Sequence, residues 1–174
     1  MKRAHVVGNG PSYIDFERID PEDLVVGCNI TRINADFTTL SDLRLAYQIR
    51  NALHVGKPKM INCPVLVNQK IYDWLQTSKG QQCKLDIHDV YKTYGNEPFD
   101  LSSGHYAAMW LIEQGYDEIH VWGVDSYFDD HILSYTDEYV ESGTKRSTTA
   151  MSKVATRWKK EWDKLPVKIH APSS

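Results

Sequence analysis

The stretch His5–Phe16, HVVGNGPSYIDF, decides how the rest of the sequence is interpreted. An apolar run ends in two glycines and a proline and continues into an amphipathic segment, a pattern typical of a strand that turns into a helix. Gly8 and Gly10 permit close backbone approach, and Pro11 suits the first turn of a helix, where no N–H is needed. Such a loop can cradle a phosphate or nucleotide, and it can equally be a tight turn without a ligand.

The loop matches neither of the common phosphate-binding fingerprints. No Gly-Lys-Ser/Thr follows the glycines, which excludes a Walker loop. Tyr13 stands where the GxGxxG fingerprint has its third glycine. The loop therefore needs support from other parts of the chain before it predicts a ligand.

Short apolar runs alternate with longer segments of helical period, which predicts an α/β fold, Rossmann-like, with a mostly parallel sheet and helices on both faces. The predicted strands are Ala4–Val7, Leu24–Cys28, Phe37–Leu40, Lys59–Cys63, Ile119–Trp122 and Val167–His170. The predicted helices are Asp42–Leu53, Leu66–Leu75, Gly104–Gln114 and Thr148–Leu165. In the last helix Trp158 and Trp162 share an apolar stripe opposite the lysines, so we expect both in the core.

Length and composition limit the functional classes. The 174 residues contain no linker-like stretch, so we expect one domain over residues 1–174, able to bury roughly 70% of its unfolded surface. Three widely spaced cysteines favour reduced thiols in a cytoplasmic protein. No secretory signal pattern opens the chain, and no run approaches the roughly 18 apolar residues of a membrane span.

The charges are unevenly distributed, although the formal net charge is only −3. No Lys or Arg lies between Lys92 and Lys145, and the interval that follows, Lys145–Lys168, is basic. Pairing within the protein explains this distribution as well as an external partner does. Aromatic and basic residues are not interleaved, so we do not expect nucleic acid as the partner.

Polar residues and glycines follow several predicted strands. In an open α/β sheet, ligands bind outside the carboxyl ends of the strands. The residues at such positions are Asn29, Ser41, Asp42, Gly123 and Asp125. Ser102-Ser103-Gly104 directly precedes a predicted helix and supplies a second N-terminus that can present backbone N–H groups to an anion. Together with the glycine loop, these residues outline one pocket.

Several motifs, taken in order, resemble the compact bacterial sialyltransferases of glycosyltransferase family 42. They are GNGPS, VVGCN and LSSGHYAAMWLIEQGYDEIHVWGVDSY, and the resemblance spans Arg3–Tyr127 with a poorly matched middle. The GNGPS and SG signatures also occur in a wider superfamily that looks like the archaeal pterin diphosphokinases. The element that the resemblance shares is therefore nucleotide binding rather than one reaction.

The resemblance implies that a CMP-sugar or related nucleotide donor binds at the strand ends. It assigns Gly8, Asn9, Gly10, Pro11 and Ser12 to the nucleotide, Asn29 to the base, ribose or phosphate, Ser102, Ser103 and Gly104 to the phosphate or sugar carboxylate, and Gly123 and Asp125 to the ribose. Ser41 and Asp42 complete the predicted substrate site. Backbone donors for a phosphate and a carboxylate for sugar hydroxyls are what a nucleotide requires.

The resemblance also implies metal-independent transfer without a cofactor, in which two tyrosines support the departing phosphate and a histidine is the general base. Tyr127 matches the first tyrosine, and Tyr135 matches the second if the loop is longer. The family's histidine before the last helix has no counterpart in GTKRSTTAMSKVATRW. His131 is the nearest alternative base. Loss of a general base typically costs roughly 10²- to 10⁴-fold in rate.

Other titratable residues near these motifs have two readings each. His105 could point into the pocket, but we expect a satisfied helix histidine. Lys145 and Arg146 stand near the place of the absent histidine and could bind phosphate or form a solvated helix start. Asp129 and Asp130 could form a metal corner with Asp125 and His131, although acidic loops are more often solvated.

Three functions stay open on the sequence. The first is a reduced sialyltransferase-like glycosyltransferase, and the second is an Mg²⁺-dependent diphosphokinase-like phosphotransferase that uses ATP. The third is a non-catalytic nucleotide-binding or sequestering protein, favoured by the absent histidine and by the short lid-like loop expected at about residues 127–144. A neighbouring subunit could complete so short a lid, so a homo-oligomer also stays open.

Overall fold

The computed structural model describes residues 2–92, 101–129 and 148–173. Its strands are β1 (Arg3–Val7), β2 (Leu24–Cys28), β3 (Phe37–Leu40), β4 (Val65–Asn68), β5 (Ile87–Tyr91), β6 (Glu118–Trp122) and β7 (Lys168–Ile169). They form one sheet in the order β5-β4-β3-β2-β1-β6-β7. Every neighbouring pair in this sheet is parallel.

Helices pack on both faces of the sheet. They are α1 (Leu43–His54), α2 (Gln69–Leu75), α3 (Ser78–Gln81), α4 (Ser103–Glu113) and α5 (Thr148–Asp163), with two 3₁₀ helices at Pro11–Asp15 and Asp125–Tyr127. Residues of α4 and α5 pack against Val6 and Val26 on one face, whereas α1 and α2 pack against Leu40 and Val67 on the other. This arrangement confirms the predicted Rossmann-like α/β fold.

Trp162 is buried in the core and Trp158 packs partly buried against the same cluster, as predicted for the apolar stripe of α5. Within the ranges that the structure describes, none of the helices combines the length and apolarity needed to cross a bilayer.

Two predictions in the middle of the chain are wrong. Lys59–Cys63 is not a strand, and the residues Val65–Asn68, predicted largely as a helix start, form β4. Pro64 and the apolar run after it fit a strand that is buried on both faces. The helix begins only at Gln69, because the Asn68 side chain caps it by accepting a hydrogen bond from the Ile71 N–H at 2.8 Å.

The sequence prediction also missed β5, Ile87–Tyr91. This strand lies at the edge of the sheet, and Tyr91 is its only buried residue. An edge strand needs no continuous apolar run, so IHDVY lacks the signal that marked the central strands.

The strand order reverses at β1. From β1 the chain proceeds outward through β2, β3, β4 and β5 on one side, and then returns to place β6 and β7 on the other. The loops that follow β1 and β6 therefore begin at the switch point of the sheet, where parallel α/β folds bind their ligands. The predicted glycine loop is the first of these two loops.

Phe37 offers a test of the core beneath this edge. The side chain is 1% exposed and its ring lies edge-on to Trp110 at a centroid distance of 5.2 Å. We expect Phe37→Ala to lower the free energy of unfolding by about 3–5 kcal/mol, because it removes a buried aromatic ring and leaves a cavity. Urea denaturation measures the change. Ile14→Ala, at a side chain 73% exposed, is the control, and a similar loss there would contradict this account of the core.

Candidate functional site

The loops after β1 and β6 cross in direct backbone contact. The Gly8 N–H donates to the Trp122 carbonyl at 2.7 Å, and the Gly10 N–H donates to the Gly123 carbonyl at 2.8 Å. A Cβ on Gly8 would lie 2.7 Å from the Gly123 oxygen, and one on Gly10 would lie 2.6 Å from it. Gly123 itself has a φ of +70°, which favours glycine. These glycines therefore allow the two loops to approach each other, rather than allowing a ligand to approach the backbone.

Ser12 and Asp125 join the two 3₁₀ helices that follow these loops. The Asp125 carboxylate, 3% exposed, accepts a hydrogen bond from the Ser12 N–H at 2.7 Å and another from the Ser12 hydroxyl. Pro11 occupies the start of the first 3₁₀ helix, after Gly10. Because a buried carboxylate is stable only when it is hydrogen-bonded, this pair fixes one loop against the other.

Asn9 and Asn29 hold the ends of β1 and β2 together with β3. The Asn9 side-chain amide donates to the Cys28 carbonyl at 2.7 Å. Asn29 has a φ of +52°, its N–H donates to the Thr39 carbonyl at 2.8 Å, and its carbonyl accepts from the Thr38 hydroxyl at 2.8 Å. Asparagine is among the few residues that adopt this left-handed conformation readily. Both backbone groups of Asn29 are thus satisfied, which leaves its side chain for other contacts.

The Asn29 side chain takes part in a hydrogen-bonded chain with two predicted serines. The Ser103 hydroxyl donates to Asn29 Oδ1 at 3.0 Å, and Ser103 Oγ lies 2.6 Å from Ser41 Oγ. Since Ser103 has one hydroxyl proton, the Ser41 hydroxyl is the donor in the second bond. The Asn29 Nδ2 group has no hydrogen-bond partner among residues 2–92, 101–129 and 148–173. The structure therefore brings Asn29, Ser41 and Ser103 together and leaves an amide donor beside them.

The N-terminus of α4 is capped by Ser102 and His105. The Ser102 hydroxyl accepts from the His105 N–H, and the Ser102 N–H donates to His105 Nδ1 at 3.3 Å. His105 Nε2 lies 3.0 Å from the Trp158 carbonyl and donates to it. The amides at the first two helical positions, Ser103 and Gly104, are those that helix geometry leaves without intrahelical partners. They form the positive end of the helix, where an anion is stabilised.

His105 is a satisfied helix histidine, as predicted, and it joins α4 to α5. Its ring stacks on Trp162 at a centroid distance of 4.0 Å. A Cβ on Gly104 would lie 3.1 Å from the Trp162 ring, so this position has little room for a side chain. Burial lowers the pKa of His105 to about 4, and its Nδ1 is occupied as an acceptor, so the ring is neutral at pH 7.

Tyr127 contacts α5. Its hydroxyl donates to Asp163 Oδ1 at 2.5 Å, and Lys159 Nζ lies 5.0 Å from the centre of its ring. The hydrogen bond to Asp163 raises the pKa of Tyr127. The predicted role of Tyr127 at the departing phosphate stays a prediction, and this role would require the hydroxyl to leave Asp163.

The remaining predicted residues lie apart from this group or outside the described residues. Asp42 caps α1 by accepting from the Arg44 N–H at 2.9 Å, and its side chain is exposed. The residues outside the described ranges are Tyr135, His131, Asp130, Lys145 and Arg146.

Sequence reasoning missed two residues that shape the site, Thr38 and Trp158. Thr38 holds Asn29 through a hydroxyl on a neighbouring strand, and Trp158 holds His105 through its carbonyl. The spacing of Ser102 and His105 is that of a capping box, with histidine where glutamate or glutamine is usual, and it could have predicted the cap. Nothing in the local sequence signals the contact with Trp158.

The fold is an open, parallel α/β architecture, and the polar group of Asn29, Ser41 and Ser103 lies at the carboxyl edge of its sheet, at the N-terminus of α4. No family model and no curated protein matches the chain. Among solved structures, the sialyltransferase CST-II in complex with a trisaccharide acceptor and CMP is similar, with a TM-score of 0.52 and 16% identity over 99% of this chain and 82% of that chain.

Two CstII structures from Campylobacter jejuni are similar to the same degree. The complex with the substrate analogue CMP-3FNeuAc has a TM-score of 0.50 and 17% identity, covering 100% of this chain and 83% of that chain. The complex with cytidine-5'-monophosphate has a TM-score of 0.51 and 16% identity, covering 100% of this chain and 81% of that chain. The chain thus has a sialyltransferase-like fold.

A double-mutant cycle tests the junction between Ser12 and Asp125. We expect Ser12→Ala and Asp125→Asn each to lower the free energy of unfolding by about 1–3 kcal/mol, because each leaves a buried polar group with fewer partners. The double variant should lose less than the sum, with a coupling of about 0.5–3 kcal/mol, as residues in contact do. Urea denaturation of the four proteins gives the values. Additive losses would show that the carboxylate does not depend on Ser12.

The neutral state of His105 predicts a pH dependence of stability. Its pKa is about 4 in the folded protein and about 6.5 in an unfolded chain, so the unfolded state binds more protons between these values. Stability from this residue is therefore complete above pH 6.5 and falls as the pH drops toward 4, by up to about 1.4 kcal/mol per pH unit.

His105→Gln should flatten this part of the profile, whereas His88→Gln, at an exposed histidine, should not. Denaturation midpoints at pH 7.5, 6.5, 5.5 and 4.5 supply the comparison. Equal pH slopes in wild type and His105→Gln would show that the ring does not titrate with a lowered pKa.

Proposed function

We propose that this protein binds a cytidine nucleotide-sugar at the carboxyl edge of its sheet and acts as a reduced sialyltransferase-like glycosyltransferase. The observation that carries the proposal is the convergence of Asn29, Ser41 and Ser103 at the N-terminus of α4. This group lies on a fold similar to structures that were solved with CMP. Together these features offer donors for a phosphate at the carboxyl edge of the sheet, beside the switch point.

In this proposal the phosphate lies at the N-terminus of α4. The amides of Ser103 and Gly104 and the side-chain amide of Asn29 are the donors to its oxygens. No proton has to be gained or lost for these neutral groups to donate, so they stabilise a phosphate throughout the neutral pH range. The glycine loop, fixed by Gly123 and Asp125, then faces the nucleoside.

Glycosyl transfer would break the bond between the anomeric carbon and the phosphate oxygen and form a bond to an acceptor hydroxyl. Negative charge develops on the departing CMP, and the helix N-terminus stabilises it. Tyr127 and Tyr135 are proposed to donate to this phosphate once Tyr127 has left Asp163. His131 is proposed as the base that takes the acceptor proton, in place of the family's histidine.

A non-catalytic nucleotide-binding protein is the second candidate, and Tyr127 favours it. The Tyr127 hydroxyl is committed to Asp163 rather than presented to a ligand. The family's histidine is also absent from the segment before α5. Both features leave binding intact while removing groups that transfer requires.

The diphosphokinase-like alternative receives no comparable support. This alternative would use the acidic group of Asp125, Asp129 and Asp130, but both carboxylate oxygens of Asp125 accept hydrogen bonds from Ser12. A metal ion at Asp125 would have to displace Ser12 and open the junction between the two loops.

Asn29→Asp is the sharpest test of the binding proposal. The substitution keeps the size of the side chain and the acceptor for Ser103, but it places a negative charge beside the proposed phosphate. Two unit charges about 5 Å apart interact by roughly 3 kcal/mol at an effective dielectric constant of 20, so we expect CMP affinity to fall at least about tenfold. Asn51→Asp, on the exposed face of α1, adds the same charge elsewhere and should bind normally.

The nucleotide preference of the protein is measured by isothermal titration calorimetry and by thermal shift. The ligands are CMP, CDP, ATP, GTP and NAD, each with and without Mg²⁺. CMP at 100 times its dissociation constant should add about 2.7 kcal/mol to the free energy of unfolding. No shift with millimolar CMP would refute the proposal, and a metal-dependent ATP shift would favour phosphotransfer. If CMP binds while the hydrolysis and transfer of CMP-sialic acid stay at background rates, the non-catalytic candidate is favoured.

A further inference from the structure

Three histidines, in β1, in β6 and directly after β7, form a row of ring contacts. His5 is fully buried, His120 is 3% exposed and His170 is partly buried. The His5 and His120 rings stack at a centroid distance of 5.3 Å, and His120 and His170 stack at 5.0 Å. We call these residues the histidine cluster. It lies on the opposite face of the sheet from α4 and α5, because these strand positions alternate with those that face the two helices.

The proton on His5 is fixed by its two partners. The Trp122 indole N–H donates to His5 Nδ1 at 3.0 Å, so the ring proton is on Nε2. This Nε2–H donates to Asp23 Oδ2 at 2.7 Å. Burial lowers the pKa of His5. A further proton would have to take the place of the indole hydrogen bond, so protonation of His5 separates it from Trp122.

His120 and His170 share one proton. His120 Nδ1 lies 2.8 Å from His170 Nε2, a distance at which one nitrogen must donate and the other accept. Glu118 lies 3.4 Å from the other nitrogen of His120 and favours a proton there, which makes His170 the donor. If both rings carry two protons, two N–H groups face each other and the hydrogen bond is lost.

The histidine cluster is one of three attachments of the segment 168–173, beside the pairing of β7 with β6 and the contact of Ser173 with Asp15. His170 stacks on Trp122 at a centroid distance of 3.6 Å, and the His170 N–H donates to the Val121 carbonyl at 2.9 Å. Ser173 binds the Asp15 carboxylate through its N–H at 2.9 Å and its hydroxyl at 2.7 Å. Asp15 ends the 3₁₀ helix that follows the glycine loop. The segment therefore bridges β6 and the loop region of the candidate site.

Trp122 gives the same cluster a second connection to the glycine loop. Its indole binds His5, its ring supports His170, and its carbonyl accepts from the Gly8 N–H at 2.7 Å. A displacement of this residue would be transmitted to the loop through its own backbone.

We propose that the histidine cluster is a pH-operated latch that holds segment 168–173 on the sheet at neutral pH, releases it on acidification, and thereby loosens the glycine loop. The proposal does not rest on the proposed function, because it concerns the attachment of the segment and not the identity of a ligand.

The charges around the cluster determine the direction of this response. The charged groups that face the three rings are Arg3, Asp23, Glu118 and Lys168. Arg3 pairs with both carboxylates, at 3.6 Å from Asp23 and in direct contact with Glu118. Arg3 and Lys168 together carry two positive charges against the two carboxylates, so these four groups sum to zero before any histidine is protonated.

Protonation of His170 opposes attachment. Stacking on Trp122 favours a cation at this ring, but burial, His120 and Lys168 oppose it more strongly and lower its pKa to about 4. A released His170 in water has a pKa of about 6.5. Between these values a proton favours the released state, and each pH unit can raise the ratio of released to attached segment by up to about tenfold through His170 alone. Above pH 7 the ratio should not change.

Hydrogen–deuterium exchange of the full chain between pH 7.5 and 4.5 tests the latch. After correction for intrinsic exchange rates, the protection of the His170 and Ser173 amides should be constant above pH 7. Below pH 6.5 it should fall by up to about tenfold per pH unit, and the Gly8 amide should follow in the same direction. Constant protection over the whole range would overturn the proposal.

His170→Phe supplies the critical variant, because it keeps an aromatic ring for Trp122 but cannot titrate. In this variant the corrected exchange rate of segment 168–173 should not rise at acidic pH. His88→Phe is the matched control, since His88 also stacks on an aromatic ring, Phe37, at 4.0 Å, but lies on the edge strand β5. A pH response that persists in His170→Phe, or that disappears in His88→Phe, would contradict the latch.

A measurement on wild type keeps the test decisive if His170→Phe does not fold. Titration of the imidazole resonances by NMR should show His170 neutral until the pH falls well below 6. Ordinary titration of His170 near pH 6.5, with segment 168–173 still protected, would show that the ring carries a charge without release.

Discussion

The contact between the loops after β1 and β6 is the constraint on which the rest of the site depends. Gly8 and Gly10 approach the backbone of Gly123 so closely that a single methyl group on either would collide with its carbonyl oxygen. The contact fixes the two loops against each other at the switch point, directly beyond the paired ends of β1 and β6. It also makes the buried carboxylate of Asp125 available to Ser12, so the loop is held by backbone and side chain together.

The polar group of Asn29, Ser41 and Ser103 is assembled from elements that are distant in sequence. Asn29 comes from the end of β2, Ser41 from the end of β3, and Ser103 from the start of α4. Each group has its own local support: a left-handed backbone at Asn29, and a serine–histidine cap beside Ser103. The site therefore needs no rearrangement of secondary structure to present its donors, and preorganised donors lose little entropy when they meet a charged ligand.

The parts of this architecture that the sequence predicts are those with a local signal. Leu24–Cys28 and Phe37–Leu40 are apolar runs that end at polar residues, and both strands have the predicted bounds. Lys59–Cys63 was wrongly predicted as a strand because it contains apolar residues, although it has no regular secondary structure. The true strand, Val65–Asn68, runs directly into a segment of helical period, so its apolar residues were assigned to the helix. The proximity of Asn29 and Ser103 follows from strand order, but their hydrogen bond does not. The contacts of Tyr127 with Asp163 and of His105 with Trp158 depend on how α5 packs, and no short motif encodes that.

The neutral cap on α4 has a consequence for how the candidate site would select ligands. The groups that converge there, the amides of Ser103 and Gly104 and the side chain of Asn29, carry partial charges and no net charge. Their fields fall off within about one helical turn, whereas a lysine or arginine acts over a Debye length of roughly 8 Å at physiological ionic strength. Discrimination at such a site depends on the positions and directions of the ligand's acceptor oxygens rather than on the total charge of the ligand. Added salt should weaken it far less than it weakens a site built on cationic side chains.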